Sequence, residues 1–137
     1  MQVAGVAVAP FLVMSTRTAA PTRAPEEVVW HEVPEADFVT LTTSFPPRSV
    51  FFAGSSEVDE DGIPDVDEQT YADCQLGMDG GCGYDATGDQ ITMRIPAQIE
   101  RSAPLYLVVQ AEWDVVSPSS PSKFNSVLAS YAVLIQP

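Results

Sequence analysis

One histidine, one lysine and two cysteines are all that this 137-residue chain holds of the side chains that most often carry acid–base, Schiff-base or thiol chemistry. The histidine, His31, stands in V-V-W-H-E-V, where a surface or half-buried place on a strand is the ordinary reading. No G-x-S-x-G elbow and no Cys/His signature of a nucleophilic enzyme occurs. Two thiols with the histidine far away in sequence make a poor zinc site. The glycines around residues 77–83 have neither G-x-G-x-x-G spacing nor a lysine, so they do not form a phosphate cradle. Close carboxylates are plentiful, but without aromatic neighbours for sugar stacking they do not read as a glycosidase pair. The chain reads as a non-enzyme.

Positive charge is also scarce. Six Lys+Arg face nineteen Asp+Glu, for a net charge of −13 and a pI near 4.1. Such a chain repels phosphate backbones and anionic lipid, which sets aside nucleic acid and membrane surfaces as partners. The imbalance is local: eleven acids and no base lie between Glu57 and Asp89, leaving eight acids against six bases elsewhere. A halophilic surface, with acids spread over the whole chain, is the alternative that this clustering disfavours. Long apolar runs are missing as well. The longest near the N-terminus, Val3 to Met14, is about a dozen residues broken by Pro10, where a bilayer span needs about 20. No basic residue precedes it, so it does not read as a secretory signal, and no membrane insertion is expected. Its alternation suits either an apolar arm held by a neighbouring subunit or a first strand of the protein's own sheet.

What is present is strand and turn. Twelve prolines in 137 residues argue against long helices. Arg17 to Glu26 is a proline-punctuated linker. Val28 to Val33, Asp37 to Thr43, Ser49 to Ala53 and Gln90 to Ile95 read as short strands, with Ile91, Met93 and Ile95 sharing one face. Leu105 to Val116 and Phe124 to Gln136 are the longest apolar stretches, joined by S-P-S-S-P-S-K, and read as an antiparallel pair. A buried helix over Ser126 to Ile135 fits the periodicity too, but its Val, Tyr and Ile content favours strand. The expectation is an all-β fold, an antiparallel β-sandwich or jelly roll with one long acidic loop. Residues 1–26 would be an apolar arm and linker, and 27–137 a single domain with a loop insertion over 54–89.

Within that insertion, Glu57 to Glu68 reads E-V-D-E-D-G-I-P-D-V-D-E. Counting Glu57 as position 1, acids fall at 1, 3, 5, 9 and 12 (Glu57, Asp59, Asp61, Asp65, Glu68). Gly62 falls at position 6, and the Ile63 carbonyl would serve position 7. These are hard oxygen donors in calcium-loop spacing. The core D-E-D-G-I-P-D resembles the calcium-binding repeats of the thrombospondin type-3 kind, and more loosely an EF-hand loop, over about a dozen residues of the chain. The resemblance implies calcium ligation by Asp59, Asp61 and Asp65, with Glu57 and Glu68 as outer candidates. Pro64 lacks the N–H through which paired EF loops bridge, and the flanks do not read as helices, so a solitary calcium loop is the form expected. The alternative is a solvated acidic loop with no ion.

Cys74 and Cys82 share this region in C-Q-L-G-M-D-G-G-C-G, where the glycines let the chain curl back for a local disulfide, reduced thiols being the alternative. A disulfide-capable, calcium-loop β domain with no signal sequence suits a particle made in the cytosol and serving outside. The functional expectation is therefore a structural component of a virus particle (capsid-associated, decoration or tail), homo-oligomeric and located in the virion or on an extracellular surface. The rivals are a calcium-dependent adhesion or carbohydrate-binding module, with Trp30, Tyr84 and Trp113 as candidate stacking residues, and a pilus or surface-layer subunit.

Overall fold

Alternation of apolar and polar side chains sets the architecture. The computed structural model describes residues 1–15, 27–75, 83–101, 104–117 and 120–137. Among the described residues the strands are β1 (Gln2–Val3), β2 (Val6–Ala7), β3 (Leu12–Ser15), β4 (His31–Val33), β5 (Phe38–Thr42), β6 (Ser49–Ser55), β7 (Thr70–Gln75), β8 (Tyr84–Thr87), β9 (Gln90–Arg94), β10 (Leu105–Ser117) and β11 (Ser120–Ile135). A single 3-10 turn, Val66–Glu68, interrupts them. They form two sheets, one ordered β2-β1-β5-β9-β8 and the other β3-β11-β10-β6-β7, with β4 also paired to β11. All pairings are antiparallel except β4 with β11.

The inner faces meet in one core. Val3, Val39, Leu41, Ile91 and Met93 from the first sheet pack towards Val50, Phe52, Leu107, Val109 and Val133 from the second. The fold is thus the all-β sandwich expected, and Ser126 to Ile135 is strand rather than helix. At about 25 cal/mol per Å² of apolar surface buried, this core is the main source of stability.

Three expectations change. Residues 1–15 are not set apart as an arm: β1 pairs with β5, β3 pairs with β11, and Val3 and Val8 are 1% and 3% exposed. The terminus is also tied down, since Val8 N–H donates to the Met1 carbonyl at 2.8 Å and the Met1 ammonium donates to the Val8 carbonyl at 3.1 Å. Between β1 and β2 the chain reverses through Ala4 and Gly5, both at positive φ (48° and 79°), the conformation a two-residue primed turn requires. The proline-rich segment 17–26 lies outside the described residues. Second, 54–89 is not one loop insertion, because β7 and β8 lie inside it, β7 against β6 and β8 against β9. Third, S-P-S-S-P-S-K is not wholly a loop: β11 resumes at Ser120, opposite Ser117, after a register shift at Val116/Ser117.

Candidate functional site

The acidic segment leaves the sandwich at the end of β6 and returns at β7. Its ordered form begins with Ser55, whose hydroxyl donates to the Glu57 carbonyl at 2.8 Å. Asp59 then organises the turn. Its Oδ1 accepts the backbone N–H of Asp61 (3.0 Å) and of Ile63 (2.8 Å), while its own N–H donates to the Ile63 carbonyl (3.0 Å). A short carboxylate that accepts nearby amides builds such turns, which is why Asp suits this position. Asp65 does the same for the 3-10 turn, its Oδ1 accepting from Asp67 N–H at 3.0 Å.

The loop is latched to the rest of the molecule through Gly62. The Trp30 indole N–H donates to the Gly62 carbonyl at 2.8 Å, and Val28 N–H donates to the Asp61 carbonyl at 3.1 Å. Gly62 has φ +77°, and a Cβ there would lie 2.6 Å from the Val28 carbonyl oxygen. Position 62 thus requires glycine for its conformation and for the close approach of the segment 28–30. Trp30 in turn meets Tyr106 of β10 edge-on, ring centroids 5.1 Å apart. Tyr71 adds a second tie, its hydroxyl donating to the Val66 carbonyl at 3.0 Å.

Five of the six expected ligand positions reach one wall. Glu57, Asp59, Ile63, Asp65 and Glu68, with Val58 and Pro64, line an open concavity of about 470 Å³. Asp61 does not line it and contributes its backbone carbonyl to the latch instead. Among the described residues no three acidic, histidine or cysteine side chains converge closely enough to hold a metal ion. The donor chemistry nevertheless fits calcium in kind, since the concavity is lined by the carboxylate residues Glu57, Asp59, Asp65 and Glu68 and by no histidine or cysteine. Asp59 and Asp65 each have one carboxylate oxygen, Oδ1, engaged by backbone amides.

Cys74, wholly buried on the inner side of β7, is disulfide-bonded; Cys82 lies outside the described residues. His31 is exposed on β4. The aromatic residues named for a sugar site are dispersed: Trp30 serves the latch, and Trp113 donates its indole N–H to Thr43 Oγ1 (3.1 Å) and the Phe45 carbonyl (3.2 Å). Tyr84 lies on the edge strand β8. Two features escaped the sequence reading. One is the stacked pair Phe51–Tyr71, centroids 5.6 Å apart at 29°, for which the sequence offered only the Ser49–Ala53 strand and nothing for Tyr71. The other is a cleft of about 720 Å³ beside Arg94 and Arg101, for which no spacing in the sequence was a signal. No protein-family model, no curated protein and no solved structure matches this chain.

Proposed function

We propose that this protein is a non-enzymatic structural subunit of a virus particle, a capsid-associated, decoration or tail component, that works as a homo-oligomer and carries a calcium-stabilised acidic loop. The observation that supports this reading is the ribbon formed by β10 and β11. Among the described residues β6 accompanies β10 only as far as Glu112, and β3 accompanies β11 only from Val127. Among the described residues, 114–117 and 120–126 therefore run on as a two-stranded ribbon, paired only with each other from Asp114↔Ser126 to Ser117↔Ser120. Two-stranded ribbons are marginal alone in water, and a neighbouring subunit that adds a strand or covers a face would complete this one. The rival module reading draws on the Phe51–Tyr71 pair, which leaves Tyr71 exposed as a stacking surface.

Size in solution tests the choice. Sedimentation of the purified chain should give a discrete oligomer or a higher assembly; a monodisperse monomer that binds a glycan would replace this reading with the module. Calcium is tested separately by melting with and without the ion. Binding to the folded state alone stabilises by about 2.7 kcal/mol at a hundredfold excess over Kd. Equal melting temperatures in calcium and EDTA would leave Glu57 to Glu68 as a solvated loop.

A further inference from the structure

In a chain of net charge −13, the few cations are informative by where they are left. Arg48 is committed within the second sheet, to Glu112 at 2.7 Å and Asp114 at 3.5 Å. Arg101 is partly committed, donating to the Ala36 carbonyl at 2.9 Å and to Asp37 at 3.2 Å. Arg94, exposed on the outer side of β9, makes no ion pair among the described residues. Arg94 and Arg101 stand on one cleft of about 720 Å³, together with Asp37, Gly83, Pro96 and Gln98. Two arginines against one aspartate give its described lining a formal charge of +1. Phe38, directly opposite Arg94 in the β5–β9 pairing and 51% exposed, sets an apolar surface beside it.

We infer that this cleft receives the acidic loop of a second copy of the chain, an inference that rests on the assembly reading above. Charge complementarity carries it: the loop has seven acids and no base from Glu57 to Glu68, and guanidinium forks pair well with carboxylates. The loop also presents apolar surface, with Ile63 and Val66 37% and 68% exposed, to meet Phe38. Among the described residues, a chain's own acidic loop does not line this cleft. Its loop is latched by Trp30 on the side of Tyr106, in the second sheet, whereas Arg94 belongs to the first. Loop and cleft nevertheless share one end of the sandwich, since Glu100, next to Arg101, donates its N–H to Thr70 Oγ1 where the loop rejoins β7. Two copies meeting end to end about a two-fold axis would each offer one loop and one cleft, a closed and self-complementary contact. At physiological salt the screening length is about 8 Å, so the overall repulsion between copies is muted while the buried contacts persist.

A charge swap in the full-length chain tests this by sedimentation equilibrium, in EDTA so that no metal bridge is measured. Arg94→Glu alone should weaken association about tenfold or more, because an acidic loop then faces an acidic cleft. Glu60→Arg with Asp67→Arg, two exposed loop acids outside the expected ligand set, takes the loop from seven acids and no base to five acids and two bases and should weaken association as well. Association that survives either variant overturns the docking while leaving the assembly reading intact. A wild-type chain that sediments only as a monomer overturns both. Unchanged melting of each variant alone separates lost docking from lost folding.

Discussion

Strands β6 and β7 and the fourteen residues that join them are neighbours in the chain but are held by opposite means. The two strands are ordered from inside. Val50, Phe52, Ala72 and Cys74 point into the core, and none is more than 9% exposed. The connection buries almost nothing, and its shape comes from its own polar atoms: two aspartates that accept backbone amides, one glycine at positive φ and one indole reaching in from Trp30. Burial fixes the strands regardless of most surface changes, whereas the loop depends on a few specific groups. Loops that carry function commonly sit at this low-stability end of a fold.

That contrast can be broken at four points, from the largest effect to the smallest. Phe52→Ala removes a fully buried ring from β6 and should cost about 3–5 kcal/mol, seen as a lower denaturation midpoint for the whole domain. Gly62→Ala should cost about 2 kcal/mol from the strained φ and the blocked approach of Val28, with amide exchange accelerated at Val28 and across the loop but not in β6. If β6 exchanges equally fast in that variant, loop and strands are one cooperative unit and the contrast fails. Asp59→Ala loses two amide acceptor contacts and should cost about 1–2 kcal/mol, while Asp59→Asn, which keeps the oxygen, should cost a few tenths. Equal losses in both variants would mean that charge, not the hydrogen bonds, matters there. Ala4→Asn, placed in a turn that wants positive φ, should stabilise by about 0.5–1 kcal/mol in chemical denaturation; a loss would show the β1–β2 hairpin tolerates alanine for packing reasons.

The same contrast explains what the sequence makes visible. Strands β5, β9, β10 and β11 announce themselves because bulky or β-branched residues alternate along them, as in Ile91 and Met93 or Leu105, Leu107 and Val109. Strand β7 hides because its inward residues are only Ala72 and Cys74, set between Tyr71, Asp73 and Gln75. Strand β8 hides because all four of its residues are exposed, leaving no apolar phase to read. The N-terminal hairpin hides because its turn is Ala4-Gly5 rather than the Asn-Gly that usually marks one. For the acidic loop, the oxygens and the glycine could be read from the spacing. Their uses could not: that Asp59 faces amides and that Trp30, far away in sequence, closes on Gly62 are facts of backbone geometry. The Arg94–Arg101 cleft was invisible for a related reason, since only the end of β9 and the turn after it bring the two side chains to one opening.

The latch also makes the molecule its own optical instrument. The chain has two tryptophans, and each occupies one end of β10: Trp30 leans on Tyr106, while Trp113 lies seven residues along the same strand, about 24 Å away at 3.4 Å per residue. An indole hydrogen-bonded to a loop carbonyl changes its emission when that carbonyl departs. A Trp113→Phe chain would therefore emit from the loop end alone and a Trp30→Phe chain from the ribbon end alone. The two spectra would report ion binding, docking at the acidic end and engagement of the ribbon as separate signals, with no dye attached.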